Sequence, residues 1–280
     1  MKIRKTLDML LLIIFWASGL LLLAVLVGMI AYLFYRGGSS LTLDYIRLGP
    51  AGSPIGSKGG VYPAIMGTLQ LISIALITAS IPGIITAVFL TEYSKPSQLR
   101  DNIQILIQSM AGIPSIITGL FIYALFVVQA GWGISLLSGG IALGIMIFPV
   151  IVVSTRDALL SVNTEYRLVG LAMGVSTAYL LFRIILPQAW RGILSGILLA
   201  MGYAAGATAP IMVTAAAISA PSSGNLFEPV MALPYHLYIL FNEHISMDNA
   251  YATALLLVII LLTINALAIF INSFQRNTRY

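Results

Sequence analysis

The chain of 280 residues has no cysteine, which excludes disulfides and thiolate chemistry. Charge is scarce too: only 8% of the residues are Asp, Glu, Lys or Arg, against about 25% in soluble domains. There is no GxxxxGK[ST] phosphate loop, no HExxH helix and no cluster of ionisable groups inside an apolar run. These absences leave little for an enzymatic reading. The chain is not expected to hydrolyse ATP, and no cofactor is expected. What it does have is apolar surface: 59% hydrophobic residues and a mean hydropathy of +1.00. Several apolar runs exceed the ~20 residues that cross a ~30 Å hydrocarbon core as helix. The fold class is therefore all-α integral membrane.

Six candidate transmembrane helices fall near 9–35, 62–90, 103–128, 132–153, 192–218 and 250–274. The first follows Lys2, Arg4 and Lys5, but its apolar run is too long for a signal-peptide core and reads as a retained helix. Three parts follow: 1–60, an N-terminal helix with an outer loop; 61–274, the transmembrane domain; and 275–280, a cytoplasmic tail. Lys and Arg counts orient the chain. With the N-terminus inside, the inner positions hold eleven, from Lys2, Arg4 and Lys5 through Lys95, Arg100, Arg156, Arg167, Arg183 and Arg191 to Arg276 and Arg279. The outer side holds three, Arg36, Arg47 and Lys58. Both termini of this multi-pass membrane protein are thus expected in the cytoplasm. The net charge of +5 reflects this bias and calls for no nucleic acid.

The inner segment 163–187 is patterned like helix rather than loop. Asn163 can cap a short helix whose first turn carries Glu165, a favourable place for negative charge. Gly174 can stop it, Ser176 can cap a second helix toward Ile185, and Pro187 is expected to end that run. The first helix presents Leu168, Val169, Leu171, Ala172 and Met173, more apolar surface than a free cytoplasmic helix carries. Two readings fit this pattern alone: a docking surface for a partner, or a helix lying on the membrane interface or capping the bundle.

Short strings elsewhere carry a resemblance. Gly60-Val61-Tyr62-Pro63-Ala64-Ile65-Met66-Gly67-Thr68-Leu69, Pro82-Gly83, Leu90-Thr91-Glu92-Tyr93, Ala111-Gly112-Ile113-Pro114-Ser115, Gly119-Leu120-Phe121, Thr208-Ala209-Pro210 and Leu233-Pro234 stand in order along 60–272. With Gly174, Ile184, Leu186 and Pro187 in the inner segment, they resemble permease subunits of phosphate ABC importers, the PstA type. The resemblance implies a type I ABC importer permease fold with a cytoplasmic coupling helix and one extra helix in front. It implies a prokaryotic plasma membrane and alternating access driven by a separate ATPase. The implied partners are a related second permease, two ATP-binding cassette ATPase subunits, an extracellular or periplasmic phosphate-binding protein, phosphate itself and membrane lipid. ATPase coupling would fall to Glu165, Arg167, Leu168, Gly170, Leu171, Met173, Gly174, Leu186 and Pro187.

The chain departs from that pattern at two places. The docking helix usually reads Glu-Ala-Ala six residues before its glycine, where Leu168, Val169 and Gly170 stand here. The fifth span usually reads Arg-Ala-x-Gly-Glu-Thr-Ala-Pro, where this chain has Tyr203-Ala204-Ala205-Gly206-Ala207-Thr208-Ala209-Pro210. Both ionisable residues are gone, although an arginine fork suits an oxyanion. Three explanations stand: the partner permease carries the charges for both halves, which is the favoured one; backbone N–H groups near Pro114 and Pro210 suffice; or another small oxyanion is carried. A non-transporting scaffold or regulator of the same fold is the rival. Candidate pathway residues are Pro114, Ser115, Thr118, Tyr203, Gly206, Thr208 and Pro210, with local helix repair as the alternative role for the hydroxyls.

Two further features are weaker. Gly196, Ala200, Ala204 and Thr208 form a small-residue stripe suited to close packing, in the core or against the second permease. His236 and His244, with Glu228, Glu243 and Asp248, are too irregularly spaced for a metal set and read as a solvated outer loop.

Overall fold

Hydroxyl side chains mark where five helices begin. Thr42, Ser97, Ser135, Ser176 and Ser246 each accept a hydrogen bond from the backbone N–H three residues on, at 3.2 to 3.4 Å, satisfying donors that the first helical turn leaves over. The computed structural model describes residues 2–218 and 225–274, so the expected tail 275–280 lies outside the described residues. From the N-terminus come α1 (Lys2–Gly37), α2 (Leu43–Arg47) and a small antiparallel hairpin of β1 (Pro50–Ala51) and β2 (Lys58–Gly59), with Pro50 opposite Gly59. Then follow α3 (Tyr62–Val88) with a π turn at Phe89–Tyr93, α4 (Gln98–Ala111), and α5 (Ser115–Ile122) with a π stretch at Tyr123–Gln129. Next are α6 (Leu136–Leu160), α7 (Glu165–Ala172), α8 (Thr177–Leu180), a π turn at Leu181–Ile185 and α9 (Leu186–Gly206). The chain closes with α10 (Ala209–Thr214), α11 (Leu233–Asn242) and α12 (Met247–Phe274).

Among the described residues five helices are long and apolar enough to cross a membrane: Leu7–Gly37, Tyr62–Tyr93, Leu136–Leu160, Thr177–Gly206 and Met247–Ala266. Counting the bent pair Gln98–Ala111 and Ser115–Gln129 as one crossing makes six. The third span is broken at Pro114, turning by 101° between α4 and α5, where Gly112 and Pro114 interrupt the ladder because proline cannot donate to it. Two of the sequence expectations need correction. The fourth begins at Leu136 rather than Trp132, because Gly131 and Gly133 hold φ of +71° and +70° and Ser135 supplies the cap.

The fifth span differs most. Pro187 does not end the helix from Ser176; Thr177–Gly206 runs on as one helix. The π turn at Leu181–Ile185 ends two residues before Pro187. A wider i→i+5 turn accommodates a residue that lacks an N–H and crowds the carbonyl four residues back. The break comes instead after Gly206, where Ala207 is extended with ψ of 116° and α10 starts again with Pro210 in its first turn.

Small residues bring α3, α6 and α9 together. Gly140 and Gly144 of α6 lie against Ile74 and Thr78 of α3, and Gly83 of α3 lies 2.9 Å, measured to an added Cβ, from Ile151. On the other side Gly192 and Gly196 of α9 meet Ala158 and Ser154 of α6. Ala200 and Ala204 are buried in the same core, so this stripe serves packing within the chain. Close backbone approach is how helices associate where lipid removes the hydrophobic drive. By contrast the apolar length of α1 is exposed. It is held at its end, where the Tyr32 hydroxyl lies 3.2 Å from that of Tyr251 and the rings meet edge to face at 5.7 Å.

Candidate functional site: a docking helix, a bent-helix cavity and the link between them

The candidate docking helix α7 is closed at both ends by its own sequence. Asn163 accepts a hydrogen bond from the Glu165 N–H at 3.0 Å through its side-chain oxygen and donates to the Glu165 carboxylate at 3.2 Å. At the far end Gly174 sits at φ +69°. Its N–H donates to Leu171 O at 3.1 Å and Val175 N–H donates to Gly170 O at 3.0 Å, the paired closure of a glycine-stopped helix. Ser176 then starts the next helix. Between these stops α7 presents Leu168, Val169, Leu171 and Met173, the last two 69% and 74% exposed. Glu165 and Pro187 are also exposed, whereas Leu186 is half-buried.

Gly170 is the exception on this helix: it is buried, and a Cβ there would lie 3.1 Å from the Leu180 side chain. That contact folds α7 against α8 and leaves a groove of about 510 Å³ lined by Tyr166, Val169, Met173, Val175, Tyr179 and Ile184 among others. Arg167 also points inward. Its guanidinium makes a two-pronged ion pair with Glu92, Nε to Oε2 at 3.2 Å and an Nη to Oε1 at 2.7 Å. Sequence reasoning grouped Arg167 with the docking residues and gave Glu92 no role. The only local signal was an acidic residue, in Leu90-Thr91-Glu92-Tyr93, at the most basic end of the bundle.

The second locus lies at the two interrupted spans. The turn between α4 and α5 and the restart at α10 are packed together, with Gly119 of α5 on Pro210 of α10. Beside them a cavity of about 270 Å³ is lined by Met110, Ala111, Ile113, Thr118, Met146, Pro149, Val150, Leu199 and Tyr203. Of the candidate pathway residues, Thr118 and Tyr203 line this cavity, with Tyr203 55% exposed. Pro210 instead packs in the core; Ser115 and Thr208 are half-buried, and Pro114 and Gly206 are exposed. No charged side chain lines the cavity.

At the opposite end of the bundle His236 is not in a solvated loop. It sits on α11, 4% exposed, with Nδ1 3.3 Å from Thr253 Oγ1. Thr253 also meets the Tyr45 hydroxyl at 2.7 Å, and Tyr45 donates to Asn249 O at 2.9 Å. Asn249 donates in turn to Gly56 O at 2.9 Å, pinning the loop after the hairpin. Burial pushes the His236 imidazole down to about 4 and the Tyr45 phenol up to about 12, the latter partly offset by the bond to Thr253.

Residues 79–277 match the family described as binding-protein-dependent transport system inner membrane component. The chain belongs to that family. This permease is 33% identical over 224 residues to phosphate transport system permease protein PstA 2 of Mycobacterium bovis, covering 79% of this chain and 74% of the relative. It is 34% identical over 210 residues to the probable phosphate transport system permease protein PstA of Methanocaldococcus jannaschii, covering 74% of each. Among solved structures, the inward-facing MetNI methionine ABC transporter superposes with a TM-score of 0.63 at 17% identity, covering 75% of this chain and 94% of that one. A bacterial alginate ABC transporter superposes with a TM-score of 0.58 at 15% identity, covering 90% and 93%. At these identities the superpositions establish the type I ABC importer permease fold. The permease is a multi-pass membrane subunit of an ABC importer, and such a subunit is not the catalytic one.

Proposed function

We propose that this permease carries inorganic phosphate inward by alternating access, driven by ATPase subunits that dock on 163–187 from the cytoplasm. The observation that carries the coupling half of this reading is α7: a helix capped at both ends whose Leu171 and Met173 are 69% and 74% exposed. An apolar helix at the end of a membrane bundle is stabilised when a partner groove covers it. The segment leads directly into the helix Thr177–Gly206, which bears Tyr203 at the cavity. Phosphate as cargo is supported by the two relatives named above, and the lysine and arginine bias supports cytoplasmic termini.

A second permease is part of the proposal because the cavity has no cation of its own. An oxyanion stripped of water needs charged or converging N–H donors, and a related half across the pathway would bring them. A periplasmic binding protein would deliver the ion at the opposite end. The complex purified with its ATPase, second permease and binding protein and placed in liposomes should take up radiolabelled phosphate only when ATP is supplied inside the ATPase-facing compartment. Uptake of another oxyanion but not phosphate would replace the substrate, and ATP-dependent uptake of neither would leave the scaffold reading in its place.

A further inference from the structure

The bundle has a second connection between α7 and the spans besides the covalent one. Arg167 reaches away from the exposed docking face into a site shared by three elements. Its Nη2 donates to Glu92 Oε1 at 2.7 Å and to Leu159 O at 2.9 Å, its Nε donates to Glu92 Oε2 at 3.2 Å, and its Nη1 donates to Val162 O at 3.1 Å. Glu92 stands in the π turn that ends α3, while Leu159 and Val162 belong to the last turn of α6 and the residue pair just beyond it. The side chains are 5% exposed for Glu92 and 20% for Arg167. One guanidinium therefore occupies four donor–acceptor contacts at once, matching its planar fork to a carboxylate and to carbonyls that a helix C-terminus leaves over.

We propose that the Arg167–Glu92 pair is the strut that makes α3 and α6 follow α7 when the ATPase moves it. The proposal rests on the coupling reading above. Covalent linkage alone ties α7 to α6 through residues 161–164 and, through 173–176, to α8 and so to the continuous helix Thr177–Gly206. Nothing in the chain path ties it to α3, which is 75 residues away in sequence at the Arg167 contact. Yet α3 packs against α6 through Gly140 and Gly144, and α6 contributes Met146, Pro149 and Val150 to the cavity. Holding α3, α6 and α7 at a single point lets them move as one body. Paired and desolvated charges suit this, since their separation leaves each ion buried without a partner. Arg167 and Glu92 are positioning residues, not docking or substrate contacts.

The absence of cysteine allows a clean test. Ile113→Cys places a single thiol at the cavity, and its rate of modification by a membrane-impermeant maleimide is compared in the assembled complex with and without a non-hydrolysable ATP analogue. With Glu92 and Arg167 intact the rate should change by at least about fivefold. Adding Glu92→Gln, which keeps shape and loses charge, or Arg167→Lys, which keeps charge and loses the fork, should cut that change to under about twofold. The ATPase should co-purify in unchanged proportion. An undiminished response in both variants would overturn the strut, as would loss of ATPase from both, because the pair would then serve only folding or docking. No response with the pair intact would sink the coupling reading and the strut with it. A normal response in a complex that fails to take up phosphate would sink only the substrate assignment.

Discussion

Gly119 lies directly on the backbone of Pro210: a methyl group added at Gly119 would come within 2.7 Å of Pro210 Cα and 3.1 Å of its carbonyl oxygen. Two interrupted spans, α5 and α10, are thereby held in contact at the point where each restarts. The contact is between backbones, so neither side can relieve it by changing a rotamer.

Gly119→Val is therefore expected to destabilise the folded permease by about 1–3 kcal/mol through overpacking. Gly206 offers a matched control, since nothing lies within 4 Å of a Cβ there. Thermal unfolding in detergent should show a lowered midpoint for Gly119→Val and an unshifted one for Gly206→Ala. Equal midpoints would mean the two restarts are not tightly packed.

Tyr203 stands at the cavity where the resembling permeases have arginine. Being 55% exposed, it can be replaced without a packing defect. Tyr203→Arg should leave the unfolding midpoint unchanged and lower the KM for phosphate about tenfold, the effect of a charge-assisted hydrogen bond. An unchanged KM would show that position 203 does not meet the ion.

The docking face gives a prediction of opposite character. Leu171 and Met173 contribute nothing to the core, so Leu171→Asp with Met173→Asp should leave the isolated chain as stable as before. Binding of the ATPase should weaken by about thirtyfold or more, as for loss of an interface anchor. Titration of labelled ATPase onto the permease in nanodiscs measures this. Unaltered binding would return α7 to the role of a helix lying on the membrane surface.

His236 makes stability depend on pH. Its folded-state value of about 4 lies below the ordinary 6.5, so the neutral form is the one the fold favours. The full contribution is present above pH 6.5 and is lost as pH falls toward 4, amounting to about 3 kcal/mol at most. The unfolding midpoint should drop between pH 7 and pH 4.5 in the unaltered permease. In His236→Asn, which cannot titrate, the curve should start lower and lie flatter over that range, and parallel curves would assign the pH dependence elsewhere.

What could be read from the sequence was local. Asn163, Gly174 and Ser176 act within three residues of themselves, and each does so in the structure. The membrane class and the family strings were equally plain because they depend on composition and order. The interruptions were visible as Pro114 and Pro210, but not the 101° turn, because a proline marks a break without fixing its angle. Pro187 misled because a proline alone does not reveal the π turn that accommodates it. Glu92 and His236 were missed or misplaced for one reason. Their burial comes from residues 75 positions away in one case and from α12 and the loop at Gly56 in the other, and no local spacing carries that information.

The uninterrupted helix from Thr177 to Gly206 has a mechanical consequence. At ~1.5 Å per residue, Tyr203 stands about 40 Å from the end that meets α7. If that end is the pivot, a tilt of about 5° sweeps the tyrosine through about 3.5 Å by lever geometry. On the proposed coupling, gearing of this kind would let the contact area at the docking face change very little: a long rigid arm, rather than a large motion at its base, would set the amplitude at the cavity.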